Sequence, residues 1–175
     1  YAGIALGTGL LCTNVTAANW ERENIGGLNT YVYTPATSSP VGEGKSLLIV
    51  LHGCVQSNTA FQTANLDKAA EEYGMVVALP DAASKKGMQC WAYWTDGFQP
   101  TPRDRNKNDF KRLHDMTNQM INNPEYDIDP NQVYIAGLSS GASFAMTMGC
   151  MSPNLYAGIG VSAGPSPGTS ESGWN

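Results

Sequence analysis

The sequence predicts an α/β fold in three layers, a mainly parallel sheet covered by helices on both faces. Three observations predict it. Residues 46–51 and 75–80 are continuous apolar runs rather than alternating ones, the pattern of strands covered on both sides inside a parallel sheet. Helical patterns at 63–73 and from residue 108 onward separate these strands from the next, and strands alternating with helices build parallel sheets with right-handed connections. Finally, Gly137-Leu138-Ser139-Ser140-Gly141 joins an apolar strand to a small-residue helix. Sites in such sheets form at the carboxyl ends of the strands.

Taken in order, residues 1–11 are uncharged, apolar and glycine-rich; without a basic start they read as an ordered mature N-terminus rather than an export signal. Residues 20–22 and 28–34 read as two strands of a hairpin around Gly26-Gly27, which makes the sheet mixed. A turn-rich connection, 35–44, leads to the strand 46–51, and His52-Gly53-Cys54-Val55-Gln56-Ser57 leaves its carboxyl end as a loop. The helix at 63–73 stops at Gly74, a suitable C-terminal residue. After the strand 75–80, residues 81–107 carry four aromatics and two prolines without periodicity and read as a long functional loop. From Asn108 the apolar positions Phe110, Leu113, Met120 and Ile121 share one helical face, with Asn108-Asp109 as cap and first-turn charge. Asp129-Pro130-Asn131 reads as a turn before the next strand, and residues 156–162 as a last strand.

Composition narrows the function classes. The chain has 175 residues, 42% of them hydrophobic, and a net charge of −5, with no basic run that would suit nucleic acid. No apolar run approaches the roughly 18 to 20 residues that span a bilayer. The cysteines, Cys12, Cys54, Cys90 and Cys150, lack paired zinc-site spacing and have only two histidines for company, so neither a metal nor a cofactor is expected. Low charge and an even cysteine count fit an exported protein with one or two disulfides.

The chemistry points to Ser139. In G-x-S-x-G the small flanking residues let the chain turn sharply, lifting the serine hydroxyl to where a substrate carbonyl can reach it. That is an acyl-transfer nucleophile. Its tetrahedral intermediate needs two donors aimed at the oxyanion, one from the residue after the nucleophile and one from the loop after the third strand. These are the amides of Ser140 and Cys54. A serine also needs a base, usually a histidine oriented by a carboxylate, following it in chain order. Here no histidine follows Ser139, and Glu171 is the one acidic residue after it. His52 sits in the loop motif, and His114 lies mid-helix, where a structural or surface role is expected. The chain therefore reads as the N-terminal part, residues 1–175, of a single larger catalytic domain, whose acid and histidine come from a C-terminal remainder or a companion chain.

Leu51-His52-Gly53-Cys54-Val55-Gln56-Ser57, Cys90-Trp91-Ala92-Tyr93-Trp94 and Gly137-Leu138-Ser139-Ser140-Gly141-Ala142, in that order, resemble the catalytic domain of extracellular polyhydroxybutyrate depolymerases, with related feruloyl and acetylxylan esterases sharing much of the pattern. The resemblance covers residues 45–164. It implies an incomplete α/β-hydrolase fold, a secreted serine esterase acting on a polyester such as poly(3-hydroxybutyrate), Ser139 as nucleophile, Cys54 and Ser140 as oxyanion donors, and a Cys54–Cys90 disulfide. It also implies an aromatic substrate wall from Trp91, Tyr93 and Trp94. Tyr93 stands where depolymerases usually have tryptophan, leaving open whether it or Trp94 faces the ester. Alternatives are an esterase acting on acylated plant polysaccharide, or an inactive hydrolase fold used for binding. Cys12 and Cys150 receive no partner.

Overall fold

A computed structural model describes residues 19–93 and 106–165. The expectations placed on residues 1–11, Cys12 and Trp94 lie outside the described residues. Six strands form one sheet: β1 (Glu21–Ile25), β2 (Leu28–Tyr33), β3 (Lys45–Leu51), β4 (Met75–Pro80), β5 (Ile128–Leu138) and β6 (Gly158–Ser162), in the order β1-β2-β4-β3-β5-β6. The β1–β2 hairpin turns at Gly26-Gly27 and pairs antiparallel onto β4, whereas the β4–β3, β3–β5 and β5–β6 pairs are parallel. The sheet is mixed, as expected.

Alternation along the central strands sets the layers. Leu47, Ile49 and Leu51 of β3, with Val76 and Ala78 of β4, face one cluster that includes Phe110, Leu113, Met116 and Met120 of α2 (Asn108–Asn122) and Phe144 and Met148 of α3 (Ser140–Met151). The intervening Val50, Val77 and Leu79 face the other way, onto Tyr33 and Ala70 of α1 (Leu66–Tyr73). Helices therefore cover both faces, giving the three layers. Because both faces are buried, the strands carry apolar residues continuously, and each fully covered Leu or Ile contributes about 1.5–3 kcal/mol of burial.

Four local expectations are corrected. α1 begins at Leu66 rather than residue 63, because Asn65 sits in the left-handed region at φ 56°, outside the helix. β5 begins at Ile128 and takes in Asp129-Pro130-Asn131, which were expected as a turn. The register against β3 shifts between Lys45 and Leu47, so Pro130 lies in an irregularity where its missing N–H breaks no ladder bond. β6 starts at Gly158, two residues later than expected. Asn108 is not a cap: it is the first residue of α2, with φ 51°, and the preceding Lys107 makes no side-chain cap. The buried Asp109 instead accepts the Ser84 N–H at 2.8 Å and pairs with Arg112 Nη1 at 3.0 Å, anchoring the loop after β4 to α2.

Candidate active site

Sterics define the turn at Ser139. β5 ends at Leu138, α3 starts at Ser140, and Ser139 between them has φ 54° and ψ −119°. A Cβ on Gly137 would lie 2.4 Å from Gly141 backbone atoms, and one on Gly141 would lie 2.4 Å from the Leu51 and His52 carbonyl oxygens. Only glycine fits either place. Ser139 itself carries the strain of positive φ, which for a non-glycine residue costs on the order of 1–3 kcal/mol and collects at functional sites. The Ser139 N–H donates to the Ser162 carbonyl at 2.9 Å, so β6 holds the strained residue in place.

The loop after β3 lies against this serine. A Cβ on Gly53 would sit 3.3 Å from Ser139 Cβ and 3.4 Å from the Leu138 carbonyl oxygen. The Gly53 N–H donates to Gln56 Oε1 at 2.8 Å, and Cys54 is joined to Cys90 by a disulfide, as the resemblance implied. The same segment is held by Val55 N–H to Met88 O at 2.7 Å, a two-way bridge between Lys86 and Cys90, and Trp91 N–H to Ser140 Oγ at 3.3 Å. Among the described residues, neither the Cys54 nor the Ser140 amide donates to a protein carbonyl. The Ser140 amide is a first-turn N–H of α3, where the helix offers it no internal acceptor and the macrodipole favours negative charge. Among the described residues, therefore, the amide that follows Ser139 and the Cys54 amide of the loop packed against it both lack a backbone acceptor.

His52 is fully buried. Its Nδ1 lies 2.8 Å from the Gly53 carbonyl oxygen, and its Nε2 lies 3.2 Å from the Ala82 amide and 3.0 Å from Asp81 Oδ1. Burial holds its pKa below the ordinary value, against the opposing pull of the Gly53 carbonyl and the Asp81 charge. Both ring nitrogens are therefore occupied, and neither is free to deprotonate Ser139. His114 lies on α2 with its Nδ1 3.2 Å from Asn118 Nδ2. The sequence holds only these two histidines.

The aromatic expectation is corrected in part. Trp91 and Tyr93 are fully buried, and Trp91 packs between His52 and Phe144 with ring centroids 5.4 and 5.0 Å away. Such rings brace the loop and present no wall to a substrate. Trp94 lies outside the described residues. Three participants were missed in the sequence: Asp81, Gln56 and the Ser140 hydroxyl. A signal existed for Asp81, because it directly follows β4, the parallel neighbour of β3, so topology alone sets it near His52. Among the described residues Cys150 is exposed with no disulfide partner, no cluster of three or more metal-ligating side chains occurs, and no helix is long and apolar enough to cross a membrane.

Known proteins resemble this chain over most of its length. Residues 29–174 match the family described as Esterase PHB depolymerase. The chain is 38% identical over 161 residues to a poly(3-hydroxybutyrate) depolymerase of Ralstonia pickettii, covering 86% of this chain and 32% of that protein. It is 27% identical over 152 residues to acetylxylan esterase A of Emericella nidulans, covering 83% and 47%. Among solved structures, an acetyl xylan esterase from Aspergillus awamori superposes with a TM-score of 0.70 at 22% identity, over 88% of this chain and 56% of that one, which shows the fold. The chain thus spans 32% and 47% of the length of these two curated relatives.

Proposed function

The chain belongs to the esterase PHB depolymerase family, and from that premise we propose that it forms the nucleophile-bearing part of a secreted serine esterase that cleaves poly(3-hydroxybutyrate)-like polyester. One observation carries the reading: a serine at positive φ between strand and helix, packed against the Gly53 loop, with the Ser140 and Cys54 amides lacking a backbone acceptor among the described residues. Ser139 Oγ attacks the ester carbonyl, and the carbonyl oxygen takes up negative charge against the Cys54 and Ser140 amides. Collapse expels the alcohol of the next polymer unit, and water then hydrolyses the acyl group from Ser139. Preorganised donors of this kind are worth about 10²–10³ in kcat each.

In this reading residues 1–175 are the N-terminal part of one α/β-hydrolase catalytic domain with its acid and base outside them, in keeping with the 32% and 47% of its curated relatives that the chain covers. The far edge of the sheet supports this. Among the described residues β6 has a partner on one side alone, and Ile159 and Val161, with Tyr134 of β5, are exposed there, an open apolar edge of the kind folded proteins cover. The complete enzyme is this chain with that segment. The Cys54–Cys90 disulfide supports secretion into an oxidising compartment.

A second reading is deacylation of plant polysaccharide, favoured by the acetylxylan esterase relatives. The complete enzyme, given polymer granules and acetylated xylan side by side, is expected to release soluble hydroxybutyrate from the first. Acid from xylan alone would replace the polyester reading with the second one. A fluorophosphonate probe is expected to label the enzyme but not Ser139→Ala; an unlabelled wild type would point to an inactive binding fold.

A further inference from the structure

The loop after β3 carries a side-chain amide that the acyl-transfer steps leave unused. The Gly53 N–H donates to Gln56 Oε1 at 2.8 Å. A backbone N–H only donates, so the atom facing it is the amide oxygen, and the other end of the same planar group, Nε2, is a donor with two hydrogens. Among the described residues no protein atom accepts from Nε2, although the side chain is half-buried. Two further observations place this amide. The point where a Cβ on Gly53 would stand is 2.9 Å from Gln56 Oε1 and 3.3 Å from Ser139 Cβ, so the amide and the nucleophile share one side of Gly53. Val55, which turns the chain between Cys54 and Gln56, has φ 54°. A β-branched residue is a genuine outlier there, and such strain persists where the surroundings impose it and collects at functional sites. Here the Cys54–Cys90 disulfide, the Val55 N–H to the Met88 carbonyl at 2.7 Å and the return of Gln56 onto Gly53 impose it.

We propose that Gln56 is a substrate-binding residue whose Nε2 donates to the carbonyl oxygen of a neighbouring ester in the polymer chain while Ser139 attacks the ester beside it. The inference rests on the polyester reading. The chemistry of the donor matches that substrate: an amide N–H is uncharged and suits an uncharged carbonyl, whereas a carboxylate or phosphate is matched by arginine or lysine. In poly(3-hydroxybutyrate) every repeat brings such a carbonyl, a few bonds from the scissile one. An isolated acyl group has no second ester beside it, so Gln56 favours a chain of esters over a single one. Gln56 Oε1 stays on the Gly53 N–H throughout, which fixes the amide plane and spares the substrate the cost of ordering it.

The test uses the complete enzyme with two soluble, uncharged substrates: methyl 3-butyryloxybutyrate, which holds two esters in polymer spacing, and methyl butyrate, which holds one. Gln56→Glu keeps an oxygen for the Gly53 N–H and removes the donor; Gln56→Leu removes both. The quantity read is kcat/KM for the diester divided by that for the monoester, so that any effect of a variant on ester cleavage in general cancels. Loss of one hydrogen bond between uncharged groups predicts that this ratio falls about fivefold to tenfold in both variants. The product that is lost, butyrate or methanol, tells which side of the scissile ester the neighbour occupies, and either supports the proposal. A ratio preserved within about twofold in either variant overturns it, because a residue that only braces the loop lowers both substrates alike. Should Gln56→Leu not fold, Gln56→Glu, with its bond to Gly53 kept, decides alone. Polymer granules and acetylated xylan separate the two claims. Cleavage of xylan alone ends the polyester reading and the inference with it, whereas cleavage of granules beside a preserved ratio ends the inference alone.

Discussion

Replacing Cys54 and Cys90 together by serine removes the covalent tie across a sequence separation of 36 residues. A disulfide acts mainly on the unfolded chain, whose loop entropy it withholds; for a loop of this length the chain-entropy relation gives about 4 kcal/mol at room temperature. The Val55–Met88 and Lys86–Cys90 backbone hydrogen bonds exist in the folded state with or without the bridge, so they do not reduce this figure. At about 2–4 °C per kcal/mol for a domain of this size, Tm should fall by roughly 8–15 °C. Those same hydrogen bonds predict a different outcome for catalysis. Well below the transition the loop keeps its place, and kcat on a soluble ester should fall by less than about tenfold, since a single backbone donor is loosened rather than lost. Thermal unfolding of the complete enzyme and of the double variant, with initial rates at low temperature, reads both quantities. A Tm shift under roughly 3 °C would refute the loop-entropy argument, showing that the unfolded chain already holds residue 54 near residue 90.

Three further predictions concern the turn at Ser139, the loop beside it and the opposite end of β5. Gly141→Ala puts a Cβ 2.4 Å from two backbone carbonyl oxygens of the β3 end; overpacking of this kind costs about 1–3 kcal/mol, and displacement of Ser139 should lower kcat about 100-fold, checked by denaturant unfolding and ester kinetics. His52 has a lowered folded pKa, so the unfolded chain protonates first as pH falls: stability is complete above about pH 6.5, declines below it until the folded site also titrates, and His52→Asn should flatten that part of a urea-midpoint profile. Asp129, whose carboxylate accepts from the Asn131 and Glu43 amides and Gln132 Nε2, is held at about 2. Its contribution is present above about pH 3.8 and lost as pH falls toward about 2, a loss that Asp129→Asn should remove from the acid-unfolding curve.

The fold was legible wherever burial is two-sided. β3 and β4 announce themselves as unbroken apolar runs because helices cover both faces, and the helical face of α2 is set by Phe110, Leu113, Met116 and Met120 packing on one side of the sheet. The elbow was legible because three kinds of signal coincide there: an apolar strand, two sterically compelled glycines and a small-residue helix. Boundaries were harder. Pro130 and Asp129 carry turn chemistry, yet lie within β5 because the register shift against Lys45 absorbs them. Burial of the aromatic loop was illegible for a different reason. Trp91 and Tyr93 have no periodicity to reveal which way they face, and their burial depends on His52, Phe144 and Ser140, far away in sequence.

That burial changes what the loop can do. Three adjacent parallel strands end at the site: β5 delivers Ser139, β3 delivers the His52-Gly53-Cys54 loop, and β4 delivers Asp81 and Ala82 against His52. The candidate donors are main-chain amides, so the side chains of Cys54 and Ser140 are available for other work, and both reach the same segment: the Cys54 sulfur bonds Cys90, and Ser140 Oγ accepts the Trp91 N–H. Trp91 in turn packs on His52, the ring that holds the Gly53 carbonyl. Under the proposed function, residues 86–93 would act on the ester indirectly, by fixing the segment that carries the two candidate amides. A choice between an aliphatic polyester and an acetylated sugar has to be made by side chains other than Trp91 and Tyr93, and removing either ring should disturb kcat for both kinds of ester alike rather than exchange one substrate for the other.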